Sequence, residues 1–241
     1  MLLGAGISDV RRYPHSFIAA TPTADGWRFT GTISWVSGWG LNSMLVVAAV
    51  DAATETVITA FVPTSGALRV DHLELAAVGG SRTERITLDD VAVPASSVIS
   101  TQTLSNWRAE DLGTTGDTRP HYFGLAATVL EELDDAAPAG ARRVAQIWRP
   151  RIEELRASAY GLADEATAIG DVRHRLSERV ATKAAVCEAL ATLTRALVVA
   201  RSGRAISRQD TAQLHARSAL FLLVQGQSEG VRDAQLAAIA G

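Results

Sequence analysis

The sequence has few of the features that mark several large protein classes. Its single cysteine, Cys187, excludes a disulfide within the chain. The net charge is −3 and the basic residues are not clustered, which argues against a nucleic-acid partner because binding phosphates needs grouped positive charge. No apolar run approaches the roughly 20 residues of a membrane-spanning helix. We therefore expect a cytoplasmic protein with neither a nucleic-acid partner nor a membrane span.

Motifs for nucleophiles and metal ligands are weak. The five histidines are scattered and lack the spacing of metal ligands, so we expect no metal site. Residues 226–230 match the G-x-S-x-G nucleophile motif around Ser228, but no histidine follows to serve as its base. Cys187 lies on an apolar helical stripe and is interpreted as a packed thiol. The sequence therefore identifies no catalytic residue.

Composition changes along the chain. The first hundred residues are rich in Val and Thr, which favour strands, and apolar residues alternate through 27–35. Further short apolar runs follow at strand-like spacing. The remainder is rich in Ala, Leu, Arg and Glu, which favour helices. We predict an α+β protein, with an antiparallel β-barrel or sandwich domain over 1–105 and an antiparallel helical bundle over 106–241.

Helix boundaries in the second part follow from apolar periodicity and from proline and glycine. Residues 122–136 predict a first helix, and Pro150 should kink or end a second one. A third apolar stripe ends before Gly203, which is a candidate C-cap. Ser207, with Asp210 three residues later, is a candidate cap for a fourth helix.

Three segments, in order, carry a resemblance to a known family. Residues 26–38, Gly-Trp-Arg-Phe-Thr-Gly-Thr-Ile-Ser-Trp-Val-Ser-Gly, resemble the flavin-contacting strand of the acyl-CoA dehydrogenase family. Residues 86–94 resemble the end of that family's middle β domain, and residues 4–10 resemble its A-G-S-D-V signature with one residue inserted. Thr118-Arg119-Pro120 resembles the start of the helical domain in some members. The resemblance covers nearly the whole chain.

The resemblance implies an FAD-binding β domain and a C-terminal helical domain, in oligomers. Trp35 would lie against the flavin ring, and Ser37 and the backbone at Val36 would bond near its reactive edge. Gly6 and Ser8 would approach the cofactor or the acyl thioester, and Arg119 would lie on the substrate side. The alternative for Trp35 is a core tryptophan on a strand.

The sequence also departs from the family pattern. The N-terminal helical domain, the Thr-Glu of the signature and the E-G-T segment with the usual base are missing. The resemblance implies an FAD-dependent oxidoreductase acting on the CH–CH group of an acyl thioester in fatty acid metabolism. Such a chain would be truncated or would need a partner, in a homo-oligomer or a hetero-oligomer with a complete family member. The alternatives are a flavin-dependent monooxygenase of the same fold and a catalytically inactive assembly subunit.

Overall fold

The computed structural model describes residues 2–64 and 68–240. The chain divides into two compact units, Met1–Arg108 and Ala109–Gly241. The first unit is built mainly from β-strands and the second from α-helices, which confirms the predicted α+β class.

One sheet forms the first unit. Its strands in the described part are β1 (Leu3–Gly6), β2 (Ala19–Thr23), β3 (Gly26–Val36), β4 (Met44–Asp51), β5 (Thr56–Pro63), β6 (Leu68–His72), β7 (Glu84–Pro94) and β8 (Val98–Thr103). Their order is β6-β7-β3-β2-β4-β5-β8, and β1 pairs with β4.

The sheet is mixed, whereas the sequence predicted an antiparallel barrel or sandwich. β1 and β2 both run parallel to β4, with Leu3 opposite Met44 and Ala19 opposite Val50. Within the described residues the sheet is not closed into a barrel. Apolar alternation records which face of a strand is buried and carries no information on strand direction, so it could not reveal these parallel pairings.

The core of this unit lies against β3, which pairs with β2 on one side and β7 on the other. Phe29, Ile33 and Ile86 are fully buried in one apolar cluster. Gly31 has a φ of +147°, and a Cβ there would lie 2.7 Å from the carbonyl oxygen of Phe17. Only glycine therefore fits at this point of the strand without strain.

Helices account for the second unit. They are the end of α1 (Leu104–Thr115), which begins in the first unit, and α2 (Pro120–Asp134), α3 (Ala139–Ile169), α4 (Leu176–Arg201), α5 (Thr211–Val224) and α6 (Glu229–Ala240). α4 packs against α2, α3, α5 and α6, and its Leu190, Leu193 and Leu197 are buried in the bundle core. The predicted helical bundle is confirmed.

Pro150 does not end α3, which continues through it to Ile169 despite the hydrogen bond that proline cannot make. Two predicted helix caps are wrong. α4 is capped by Ser202, with a φ of +55°, rather than by Gly203. α5 is capped by Asp210, whose carboxylate accepts the Ala212 N–H at 3.0 Å, rather than by Ser207.

A carboxylate at the centre of an ionic cluster joins three segments of this unit. Glu132 on α2 accepts hydrogen bonds from Thr211 (2.6 Å), His215 (2.8 Å) and Arg201 (2.8 Å). Burial alone would raise the pKa of Glu132, but these hydrogen bonds and the neighbouring positive charges outweigh burial and lower the pKa below its ordinary value.

A second ionic cluster surrounds Arg179 on α4, which is buried. Its guanidinium donates to Asp117 Oδ1, to the Val172 carbonyl and to the Gly113 carbonyl, each at 2.7 Å. A single side chain therefore satisfies acceptors from several separate segments, which is the arrangement that a buried arginine requires.

Candidate functional site

An irregularity near the end of β3 controls where Trp35 lies. Ile33 pairs with Ile86 and Val36 pairs with Glu84, so three steps along β3 match two along β7. β3 thus holds one extra residue, a β-bulge, which turns the following side chains. Ile33 and Val36 are both fully buried in the core, whereas Trp35 is 44% exposed. The alternation predicted for 27–35 therefore fails at its last position, and the indole of Trp35 lies outside the buried core.

A buried carboxylate lies beside this bulge. Asp9 follows β1 in the 3-10 turn Ser8–Arg12 and is only 1% exposed. Its Oδ2 accepts the Ser34 N–H at 3.0 Å and its Oδ1 accepts the Ser34 hydroxyl at 2.7 Å. Arg12 donates to the same hydroxyl at 2.7 Å. The turn after β1 is therefore fixed directly to the residue before Trp35.

The end of β1 is held against β3 by the absence of a side chain at Gly6. A Cβ on Gly6 would lie 2.8 Å from two carbon atoms of the Ile33 side chain, closer than such atoms approach. Gly6 is buried, and the partly exposed Ser8 opens the turn that follows. Gly6 and Ser8 therefore lie at the same end of β3 as Trp35.

A short chain of hydroxyl groups lies beyond the end of β3. The Ser37 hydroxyl is 2.8 Å from the Thr83 hydroxyl, which is 2.7 Å from that of Ser81. Asn42 donates its amide to the Ser37 carbonyl at 2.8 Å. Ser37 itself is exposed, while the Val36 side chain is buried. A ligand here would meet the hydroxyl of Ser37 and only the backbone of Val36.

Arg119 lies in the second unit, at the N-terminus of α2. It is exposed and donates to the Thr114 carbonyl at 3.1 Å. It lines a cavity of about 310 Å³ together with Thr114, Asp117, Thr167 and Arg179. The neighbouring Thr118 hydroxyl is buried and has no hydrogen-bond partner in the described part of the chain. Asp117 is already bound by Arg179, so its carboxylate is engaged in structure.

Two residues weighed as nucleophiles have structural roles. Ser228 precedes α6 and its hydroxyl accepts the Val231 N–H at 3.4 Å, as a helix cap does. Cys187 is buried and its sulfur accepts from the Gln235 amide at 3.4 Å. Burial raises the pKa of the Cys187 thiol, which disfavours the reactive thiolate.

Most of the residues predicted from the sequence lie in one region, but the residues that hydrogen-bond beside them were not predicted. Gly6, Ser8, Trp35, Val36 and Ser37 lie together at one end of β3, and Arg119 belongs to the other unit. Asp9 stood in the A-G-x-S-D segment but was not chosen, although this segment was the available signal. Thr83 and Ser34 carried no signal, because isolated hydroxyl residues are common on strands.

No three or more His, Cys, Asp or Glu side chains in residues 2–64 and 68–240 come together as metal ligands could. Across the same residues, every helix is too short or too polar to cross a bilayer.

Comparison with known proteins gives a clear answer on the fold. No protein-family model matches the sequence, and no curated protein matches it significantly. Butyryl-CoA dehydrogenase from Megasphaera elsdenii aligns with all of the chain and 68% of its own length, with a TM-score of 0.79 and 14% identity. The chain has the acyl-CoA dehydrogenase fold. Its sheet and bundle match the middle and C-terminal domains of that fold.

Two other structures with this fold extend the comparison. Glutaryl-CoA dehydrogenase from Mycobacterium smegmatis has a TM-score of 0.72 and 17% identity, over 99% of the chain and 65% of its own. KijD3, solved in complex with FMN and a dTDP-linked amino-keto sugar, has a TM-score of 0.78 and 20% identity, over 99% of the chain and 64% of its own. The chain thus spans about two thirds of each of these proteins. The predicted resemblance is confirmed as a likeness of fold.

Proposed function

We propose that the chain is a flavin-binding subunit of an acyl-CoA dehydrogenase-like oxidoreductase. The observation that carries this proposal is the exposed indole of Trp35, turned out of the core by the β3 bulge. A ligand that covers an apolar ring 44% exposed removes that surface from water, which is favourable. An isoalloxazine is a flat aromatic system that can stack on an indole.

The surrounding residues suit such a ligand. Gly6 lets the end of β1 pack closely against Ile33. The hydroxyl of the exposed Ser37 can donate to a ring nitrogen or oxygen while it keeps Thr83 as its own partner. Ser8 would contact the cofactor or the thioester from the turn. We propose FAD as the flavin, with FMN as the competing cofactor because KijD3 was solved with FMN.

When bound, a flavin would accept a hydride from the β-carbon of an acyl thioester. The chain's own part in that reaction is to bind and orient both molecules. Arg119 can hold an anionic or carbonyl oxygen, since among the described residues only one of its N–H groups is engaged, by the Thr114 carbonyl. A base for the α-proton must lie within about 3 Å of it. We propose that a partner subunit supplies that base, in a homo-oligomer or in a hetero-oligomer with a complete family member, within fatty acid metabolism.

One observation favours a second candidate, a flavin-dependent monooxygenase of the same fold. The carboxylate nearest Arg119 along the chain is Asp117, and Arg179 binds it at 2.7 Å. It is therefore occupied as an ion-pair partner and poorly placed to remove a substrate proton. A reaction that needs no carboxylate base would suit this chain as it stands.

The test begins with the purified protein, whose visible absorbance is recorded before and after titration with FAD and with FMN. Saturable binding supports the proposal, and tighter binding of FAD identifies the cofactor. Binding of neither flavin would contradict both enzyme candidates and favour an inactive assembly subunit.

The bound flavin is then mixed anaerobically with acyl-CoA esters of different chain lengths. Bleaching of the flavin by an ester, alone or after addition of a complete acyl-CoA dehydrogenase, supports the dehydrogenase. Reduction only by an external reductase, followed by oxygen consumption, supports the monooxygenase instead.

A further inference from the structure

The buried carboxylate of Asp9 hydrogen-bonds to a single residue of β3. Asp9 lies outside every strand and is 1% exposed, and both of its carboxylate oxygens accept hydrogen bonds from Ser34. Ser34 lies inside the β3 bulge, directly before Trp35. Arg12, whose side chain is half exposed, lies 3.5 Å from Asp9 Oδ1 and supplies positive charge from the solvent side.

A bulge of this kind needs a partner outside the sheet. The extra residue of a bulged strand has no opposite residue in the neighbouring strand, so its N–H must find another acceptor. Between the Ile33 and Val36 pairings, β3 supplies two residues where β7 supplies one. Asp9 Oδ2 takes the Ser34 N–H at 3.0 Å, and Oδ1 takes the hydroxyl of the same residue. The carboxylate therefore meets the hydrogen-bonding need that the bulge creates.

We propose that Asp9 is a positioning residue that holds the β3 bulge and thereby keeps Trp35 on the ligand side. The choice of flavin as the ligand rests on the proposed function, whereas the link from Asp9 to the orientation of Trp35 does not. Without the carboxylate, Ser34 would keep a buried N–H with no acceptor, which costs free energy. A regular strand avoids that cost, and in a regular strand Trp35 falls on the same face as buried Ile33.

The test compares Asp9→Ala, which removes both acceptors of Ser34, with a matched control, Asp51→Ala. Asp51 is also a buried carboxylate of the first unit, 7% exposed. It accepts the Ala53 N–H at 3.0 Å and the Thr54 hydroxyl at 2.7 Å, in the turn between β4 and β5. Both substitutions remove a buried carboxylate that accepts two hydrogen bonds. We therefore expect similar falls in melting temperature from the two variants.

Two readouts separate positioning from stability. The first is quenching of the Trp35 fluorescence by acrylamide in the flavin-free protein, obtained by subtracting the signal of the same variant carrying Trp35→Phe. The second is the Kd for FAD. Asp9→Ala should make Trp35 less accessible to acrylamide and raise the Kd by about tenfold or more. Asp51→Ala should leave both values as in the wild type.

The results distinguish this inference from the proposed function. If Asp9→Ala changes the quenching as expected but the wild type binds no flavin, the positioning role stands and the proposed function fails. If the wild type binds flavin and Asp9→Ala behaves like Asp51→Ala in both readouts, the positioning role is wrong. If Asp9→Ala does not fold, the second variant is Ser34→Ala, which keeps the N–H bond to Asp9 and loses only the hydroxyl bond. Ser34→Ala should give a smaller change in the same direction, and an unchanged Trp35 signal would overturn the inference.

Discussion

Replacing Trp35 by alanine separates a ligand-facing indole from a core one. The side chain of a tryptophan has a surface of up to about 250 Å². With 44% exposed, about 110 Å² is available for a flavin to cover. At about 25 cal/mol per Å², covering that area stabilises the complex by about 2–3 kcal/mol. Trp35→Ala should therefore raise the Kd for flavin by about 30- to 150-fold.

The stability of the flavin-free protein should change less. Truncation of a partly exposed side chain leaves no closed cavity, so we expect Trp35→Ala to lower the free energy of unfolding by about 1–2 kcal/mol. Phe29, on the same strand, is fully buried. Phe29→Ala should cost about 3–5 kcal/mol. Urea unfolding monitored by circular dichroism measures both losses.

The matched control for flavin binding is Phe29→Leu. This milder core substitution should cost about 1–1.5 kcal/mol, close to the loss from Trp35→Ala, and should leave the Kd unchanged. Flavin titrations followed by fluorescence quenching give the Kd of each variant. The reasoning is refuted if Trp35→Ala destabilises as much as Phe29→Ala, or if Trp35→Ala and Phe29→Leu weaken flavin binding equally.

Three further predictions concern stability and are measured by denaturant unfolding. Glu132→Gln should cost about 1–3 kcal/mol at neutral pH. Folding lowers the pKa of Glu132 below its ordinary value of about 4.5, so the carboxylate contributes fully to stability above that pH and less as the pH falls further. The free energies of unfolding of wild type and variant should therefore converge in acid. A difference that stays constant with pH would contradict this assignment. Arg179→Met should cost about 3–5 kcal/mol by leaving Asp117, which is 17% exposed, without its cation, and a loss below about 1 kcal/mol would show that water replaces the guanidinium. Gly31→Ala should cost about 1–3 kcal/mol through its positive φ and the nearby Phe17 carbonyl, whereas Gly124→Ala on α2, where a Cβ meets open space, should not destabilise.

The sequence predicted the fold where local patterns agreed with one another. It failed where a contact with a residue distant in the chain determines the local structure. The change from Val and Thr to Ala and Leu marked the two parts of the chain, and the alternation at 27–35 marked β3. α1 was not predicted, because residues 101–120 are polar and contain Gly113, Gly116 and Pro120, which are typical of a linker. Gly113 lies inside the helix, where a Cβ would approach the Val172 side chain to 2.7 Å. A glycine required by close packing and a glycine that ends a helix have the same appearance in a sequence.

The site shows the same limit more sharply, because two kinds of sequence reasoning disagreed about one residue. Periodicity placed Trp35 on the buried face with Ile33, whereas motif resemblance placed it against a ligand. The β3 bulge explains the disagreement, since one extra residue reverses the facing of everything after it while leaving the order of residues intact. A motif match compares residue order and so follows the chain through the bulge. Periodicity assumes a regular strand, and the bulge depends on Asp9, 25 residues before Ser34. The sequence of a strand does not indicate a hydrogen bond with a residue so far away in the chain.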